Sequence, residues 1–187
     1  MIKRIFDFVV SFVLLFVIAL PVLLIAIAIK VNSKGPVIHW SQRVGRRNNV
    51  FSMPKFRSMK TDTPQVATHL LSTSQNYVTS VGAFLRKSSL DELPQLWSVL
   101  VGDMSFVGPR PALFNQDDLI ALRTENGVDA LRPGITGWAQ VNGRDELSIP
   151  VKVQFDKEYL ENRSFWFDLK IMVLTVLKVF MREGIHH

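Results

Sequence analysis

The sequence of this 187-residue chain predicts an α+β, helix-rich fold: a membrane-embedded amino-terminal helix followed by one compact domain. Three observations predict it. Residues 8–29 carry no charge and are interrupted only by Ser11 and Pro21. Two short β-prone runs flank the turn-rich segment Gly45-Arg46-Arg47-Asn48-Asn49. Further on, apolar runs of helical length alternate with loops rich in Gly and Pro. Beyond the anchor the chain is long enough for one core and too short for two.

The amino-terminal run comes first. About 20 apolar residues cross a hydrocarbon core of roughly 30 Å, so a span is long enough. Lys3 and Arg4 precede the run, and Lys30 and Lys34 follow it. Lys and Arg stay on the cytoplasmic side, so a straight span puts one basic cluster on the wrong face. Pro21 removes a backbone donor and collides with the carbonyl of Val17, which predicts a kink there. A re-entrant helix bent at Pro21 leaves both clusters in the cytoplasm and is preferred to a span. No small-x-small cleavage site follows, so the segment reads as a retained anchor and not a signal peptide. Residues 1–35 are assigned to the anchor and 36–187 to the domain at the membrane surface.

Residues 36–40 and 50–53 read as strands of a hairpin. Residues 61–79 are polar and aperiodic and read as a loop with one short helix. Residues 81–87 and 90–100 read as helices, and 116–126 as a surface helix. Residues 106–111 hold Gly108-Pro109-Arg110-Pro111, and 131–144 hold Pro133, Gly134, Gly137 and Gly143; both read as ordered loops. Residues 164–184 are apolar around most of a helix but interrupted by Asp168, Lys170, Lys178 and Arg182. Such charges oppose a bilayer crossing. An amphipathic helix at the interface and a buried core helix both fit, with Gly184 as its stop.

A net charge of +6 and a pI of about 9.8 allow nucleic acid, anionic lipid or phosphorylated substrates as partners. The anchor and the lack of any zinc-finger or RNP pattern argue against nucleic acid. There is no cysteine, which excludes disulfides and thiolate metal sites. No Ser-His-Asp set or P-loop appears, so the chemistry rests on carboxylates, cations and a hard divalent metal. Asp91 and Glu92 head an apolar run. Ser89 with Glu92 has the form of a capping box; alternatively Asp91 lies near the cap, with Pro94 inside the first turn. In the second case the helix dipole favours an ionised Asp91 and draws phosphate to the same place. Lys55, Arg57, Arg86, Arg110, Arg132 and Arg144 are spread over separate segments, and guanidinium groups grip phosphate bidentately. An aspartate nucleophile attacking phosphorus is a known covalent route, so the residues point to phosphoryl chemistry on a membrane-resident acceptor.

Three long motifs then carry a resemblance: Ser89-Leu90-Asp91-Glu92-Leu93-Pro94-Gln95, residues 102–111 from Gly102-Asp103-Met104 to Pro109-Arg110-Pro111, and residues 132–144 from Arg132-Pro133-Gly134 to Asn142-Gly143-Arg144. Together with Lys55-Phe56-Arg57-Ser58-Met59 and Lys3-Arg4-Ile5-Phe6-Asp7, they resemble the bacterial sugar transferases, and within them the small monotopic phosphoglycosyl transferases. The resemblance implies transfer of a sugar phosphate from a nucleotide diphosphate sugar to polyprenyl phosphate at the cytoplasmic face of the bacterial inner membrane. It implies Asp91 as nucleophile and magnesium ligand, with Glu92 assisting metal or acceptor. It implies Lys55, Arg57, Arg86, Arg110, Arg132, Gln140, Asn142 and Arg144 as substrate contacts. The donor is expected to be a UDP-sugar, with a lean towards an N-acetylated amino sugar. Two positions depart from the family pattern: Leu20 stands before Pro21 where a Ser is common, and Pro54 precedes Lys55 in place of an aromatic. The rival readings are a non-catalytic basic protein of the membrane surface and a polyprenyl-linked phosphatase.

Overall fold

The computed structural model describes residues 2–61, 63, 77–143 and 146–181. Most of the loop expected over 61–79 lies outside the described residues, as do Arg144 and the expected stop at Gly184. The amino-terminal run forms two helices, α1 (Ile2–Val17) and α2 (Ala19–Asn32), bent by 61°. The break falls at Ile18, three residues before the expected kink. Ile18 N–H still reaches Leu14 O and Val22 N–H reaches Ile18 O, both at 2.9 Å. Between these bonds Pro21 has no N–H to offer Val17, so the ladder fails one turn before the proline. Pro21 itself sits in the first turn of α2, where no intrahelical donor is needed. No single described helix is long and apolar enough to cross a membrane, but the bent pair meets that test together.

Both ends of the pair are fastened to the rest of the protein. Lys3 Nζ donates to Val107 O and Tyr159 OH, each at 2.9 Å, and to Asp168 Oδ2 at 2.6 Å. The Arg4 guanidinium donates to the carbonyls of Val99 and Leu100, and Asp7 accepts from Phe106 N–H at 3.2 Å. At the other end Arg57 donates to Lys34 O at 2.7 Å and to Ser33 O and Oγ at 2.8 Å. Lys3 and Arg4, expected only to flank the run, are cross-links to distant elements.

Strands β1 (Ile38–Val44) and β2 (Val50–Phe56) pair antiparallel, from Ile38 opposite Phe56 to Val44 opposite Val50. The first starts two residues later than expected and runs four further. A 3-10 turn at Arg46–Asn48 joins them. Helix α3 (Ser80–Lys87) begins where Thr79 Oγ1 accepts from Gly82 N–H at 2.9 Å. The helix expected over 90–100 is two pieces, a 3-10 turn at Leu90–Glu92 and α4 (Gln95–Val101). The proline again explains the break: Pro94 cannot donate to Leu90 O, which takes the shorter bond from Leu93 N–H at 3.3 Å.

One segment expected as a loop contains a three-residue strand, and the other carries the last two residues of one. These are β3 (Ser105–Val107) and β4 (Gly134–Thr136), paired parallel, with α5 (Asp117–Glu125) in the connection. Gly134 lets the backbones meet, since a Cβ there would lie 2.1 Å from Gly108 N. Strands of three residues show no alternation for sequence reading to detect. Then follow α6 (Trp138–Val141), α7 (Ile149–Asn162) and α8 (Phe165–Met181). Helix α7 was not anticipated, although Pro150 in its first turn marks the start.

The core is a chain of small clusters. Ile29, Phe56 and Leu85 join α2, β2 and α3; Met53, Val99 and Met104 join β2 to α4. Val107, Tyr159 and Ile171 join β3, α7 and α8. Ile171 is fully buried while Trp166 on the same helix is 75 % exposed. The core-helix reading therefore holds for one face of α8, and the opposite face is apolar and exposed.

Candidate active site

Leu90 and Leu93 pack against the cluster of Ile29, Phe56 and Leu85. Residues three apart share a face in a 3-10 turn, so the two leucines root the turn and leave Asp91 and Glu92 on its other sides. The turn is entered through Ser89, a left-handed serine at φ 56°, ψ 17°. That conformation costs a non-glycine residue about 1 kcal/mol. The Ser89 side chain makes no capping bond, so the capping box does not form. Asp91 lies in the turn ahead of α4 and not at a helix cap, because Pro94 starts the helix three residues later.

Glu92 is the centre of the charge pattern. Lys55 Nζ lies 2.8 Å from its Oε1 and Arg110 Nη2 3.4 Å from the same oxygen. The Lys55 and Glu92 side chains are 17 % and 15 % exposed, so this is a mostly desolvated pair. Burial lowers the Lys55 pKa, with Glu92 opposing that shift. Burial pushes the Asp91 carboxyl above the ordinary carboxylate range; Glu92 adds to the rise, and Lys55 and Arg86 oppose it. Arg86 approaches from the last turn of α3.

Two basic side chains beside this group were not singled out from sequence, and of them Arg43 carries the charge. His39 lies opposite Lys55 in the hairpin, and Arg43 is four residues along the same strand, hence on the same side. Burial pushes the Arg43 guanidinium down to about 10, with the charge of Arg110 adding to the effect. Burial, then Lys55 and Arg43, lower the pKa of His39. The even spacing of His39 and Arg43 along one strand, with Lys55 opposite His39 in the hairpin, was the available signal.

Other expected contacts fall elsewhere. Arg57 is 5 % exposed and spends its guanidinium on the carbonyls ending α2, so it is a strut and not a site cation. Gln140 donates to Ile135 O at 2.9 Å and Asn142 to Trp138 O at 2.8 Å, bonds that shape their own loop. Arg132 is half-buried beside β4. Lys55, Arg86 and Arg110 are thus the expected cations that gather at Asp91 and Glu92.

Among the described residues no three His, Asp or Glu side chains form a metal cage. Magnesium is nonetheless compatible with this donor set, since it is commonly held by one or two carboxylates plus substrate phosphates and water. With three or more cations around two half-buried carboxylates, the group is suited to an anion with several oxygens.

Comparison with known proteins agrees with this chemistry. A family model described as bacterial sugar transferase matches residues 1–182. The chain is 41 % identical over 185 residues to the uncharacterized sugar transferase EpsL of Bacillus subtilis, covering 98 % of this chain and 89 % of that protein. It is 41 % identical over 192 residues to the UDP-glucose:undecaprenyl-phosphate glucose-1-phosphate transferase of Escherichia coli, covering 98 % and 41 %. It is 37 % identical over 197 residues to the undecaprenyl-phosphate galactose phosphotransferase of Salmonella typhimurium, covering 97 % and 41 %. The chain therefore spans about two fifths of the length of the last two relatives.

Proposed function

Since the chain belongs to the bacterial sugar transferase family, we propose that it transfers a sugar 1-phosphate from a UDP-sugar to undecaprenyl phosphate, releasing UMP. The observation that carries the reading is the gathering of Lys55, Arg110 and Arg86 around the Asp91-Glu92 pair. Relatives named for glucose and galactose give the amino-sugar expectation no support, so the donor is left as a UDP-hexose.

The proposed chemistry has two displacements at one phosphorus. An Asp91 carboxylate oxygen bonds to the phosphorus next to the sugar, and the bond from that phosphorus to the bridging oxygen breaks. UMP leaves with the electron pair. A phosphate oxygen of the lipid acceptor then attacks the same phosphorus and Asp91 departs as a carboxylate. Neither step requires a proton if Asp91 and the acceptor are ionised. Lys55, Arg86 and Arg110 stabilise the charge spread over the phosphoryl oxygens. Glu92 orients Lys55 and Arg110, which both meet its Oε1. Asp91 would hold magnesium, which when bound supplies further neutralisation of the diphosphate.

The membrane reading draws on the fastening of both helix ends. A straight helix of 31 residues would separate its ends by about 45 Å. Here Lys3 and Arg4 at one end and Ser33 and Lys34 at the other bind the same domain. Between them Phe16 is 82 % exposed and Leu20 65 % exposed. A re-entrant anchor with the site at the cytoplasmic face of the inner membrane, beside anionic lipid, fits this arrangement. The exposed face of α8 would lie along the same surface.

The test is UMP release by the detergent-solubilised chain from UDP-glucose or UDP-galactose with undecaprenyl phosphate and magnesium. Asp91→Asn should lower turnover by about 10³-fold or more with the fold intact. Unchanged turnover removes Asp91 as nucleophile; inorganic phosphate in place of UMP identifies a phosphatase.

A further inference from the structure

The turn that carries Arg110 is held by its carbonyls. Gly134 N–H donates to Pro109 O at 2.9 Å, Arg123 Nη1 to Arg110 O at 2.8 Å, Arg43 Nη1 to Pro111 O at 3.3 Å, and Val44 N–H to Ala112 O at 3.0 Å. Four consecutive carbonyls each have a donor, and every donor comes from outside the turn. Pro109 and Pro111 lack N–H groups, so this turn has few bonds of its own to make.

One of these donors is unlike the others. Arg123 Nε and Nη2 grip Asp156 Oδ2 at 3.0 and 2.7 Å, while Nη1 reaches the Arg110 carbonyl. The side chains of the pair are 12 % and 2 % exposed. A buried ion pair is weak evidence for stability, because desolvation offsets its Coulomb gain. What this pair does add is direction. The planar guanidinium is locked on one edge by Asp156 of α7 and so presents its remaining arm to one carbonyl at a fixed angle. That carbonyl belongs to the residue whose side chain meets Glu92.

We infer that Arg123, oriented by Asp156, is a positioning residue for Arg110: it fixes the backbone from which the Arg110 guanidinium reaches Glu92 and the donor diphosphate. The inference rests on the reading above that Arg110 contacts that diphosphate. Arg123 touches neither substrate nor Asp91; it acts through the Arg110 carbonyl. A small misplacement of a positioned group is costly in such a site.

Arg123→Lys separates positioning from simple joining of α5 to α7. A lysine ammonium can stay with Asp156 and keep the helices together, but it cannot span both Asp156 and the Arg110 carbonyl. Steady-state UMP release should show KM for the UDP-sugar raised about tenfold with kcat within about twofold. The same substitution in an Arg110→Ala background should add no further change. Asp156→Asn, which keeps an acceptor for Arg123 while removing the charge, should raise KM by a smaller factor and also be silent in the Arg110→Ala background. It serves as the test if Arg123→Lys does not fold. Equal losses in both backgrounds, or an unchanged KM in the folded variants, would overturn the inference. An unchanged KM in Arg110→Ala alone would instead remove Arg110 from donor binding, and the inference falls with that reading.

Discussion

Substituting Lys55 by Met should destabilise the protein measurably while removing a site cation, and the size can be worked from the Glu92 geometry. At 2.8 Å the Lys55–Glu92 attraction is about 6 kcal/mol at an effective dielectric of 20, and the Arg110–Glu92 attraction at 3.4 Å about 5 kcal/mol. Desolvation of each ion takes back several kcal/mol. Removing one partner of a buried pair usually costs about 3–5 kcal/mol. Arg110 stays beside Glu92 after the change, so the expected loss is smaller, about 2 kcal/mol. For a chain of this size that is a fall in Tm of about 4–8 °C. Glu92→Gln in the same chain should restore part of it, because the carboxylate that lost its nearer cation is gone, while Arg110 loses this partner in turn. The assay is thermal unfolding in detergent for the wild type, both single variants and the double variant. A coupling energy below about 0.5 kcal/mol, with Tm unmoved by Lys55→Met, would refute the claim that this pair is desolvated and sets the site's charge.

Three other outcomes are expected. Burial raises the Asp91 pKa in the folded protein, so its ionisation opposes folding once pH exceeds the unfolded value. The stability gained by Asp91→Asn should therefore be small in acid, grow as pH rises from the unfolded pKa to the folded one and level off above it; turnover by the wild type should rise around the folded pKa, as paired Tm and UMP-release profiles would show. Arg57→Met removes three bonds to Ser33 and Lys34 and should cost about 3 kcal/mol, visible in detergent unfolding, with KM for the UDP-sugar unchanged in the folded fraction. Gly134→Ala would force a Cβ to 2.1 Å from Gly108 N, so the β3–β4 pair must separate; a Tm drop of about 6 °C or more is expected.

What the sequence disclosed follows the range of its signals. The hairpin was legible because Gly45 and the asparagines punctuate two apolar runs, and the surface helix because acidic residues precede and Arg123 follows the short apolar run from Leu119 to Leu122. Pro21 was legible as a break but not in its position, and Pro94 was read inside a helix that it in fact divides; at both, the regular ladder fails one turn earlier, at the carbonyl that a proline cannot serve. Strands β3 and β4 were hidden because three residues cannot display alternation, and α7 because charged residues interleave its apolar ones. Within the site, Asp91, Glu92, Lys55, Arg86 and Arg110 came from motif and chemistry. Arg43 was discoverable from its spacing to His39. Arg123 was not, since its partner Asp156 lies 33 residues away and no local pattern links the two.

The bond from Lys3 to Asp168 joins residues 165 positions apart. At about 5–20 residues per second, synthesis needs on the order of ten to thirty seconds to deliver the second after the first. Through that interval the native carboxylate partner of the lysine does not yet exist, and the side chain remains an ordinary cation on a nascent hydrophobic helix, the kind of charge that biases insertion where a helix enters a bilayer. Only when the last helix emerges does it become a latch. One ammonium group thus begins as an unattached charge near the start of α1 and ends as the clasp that joins α1 to α8.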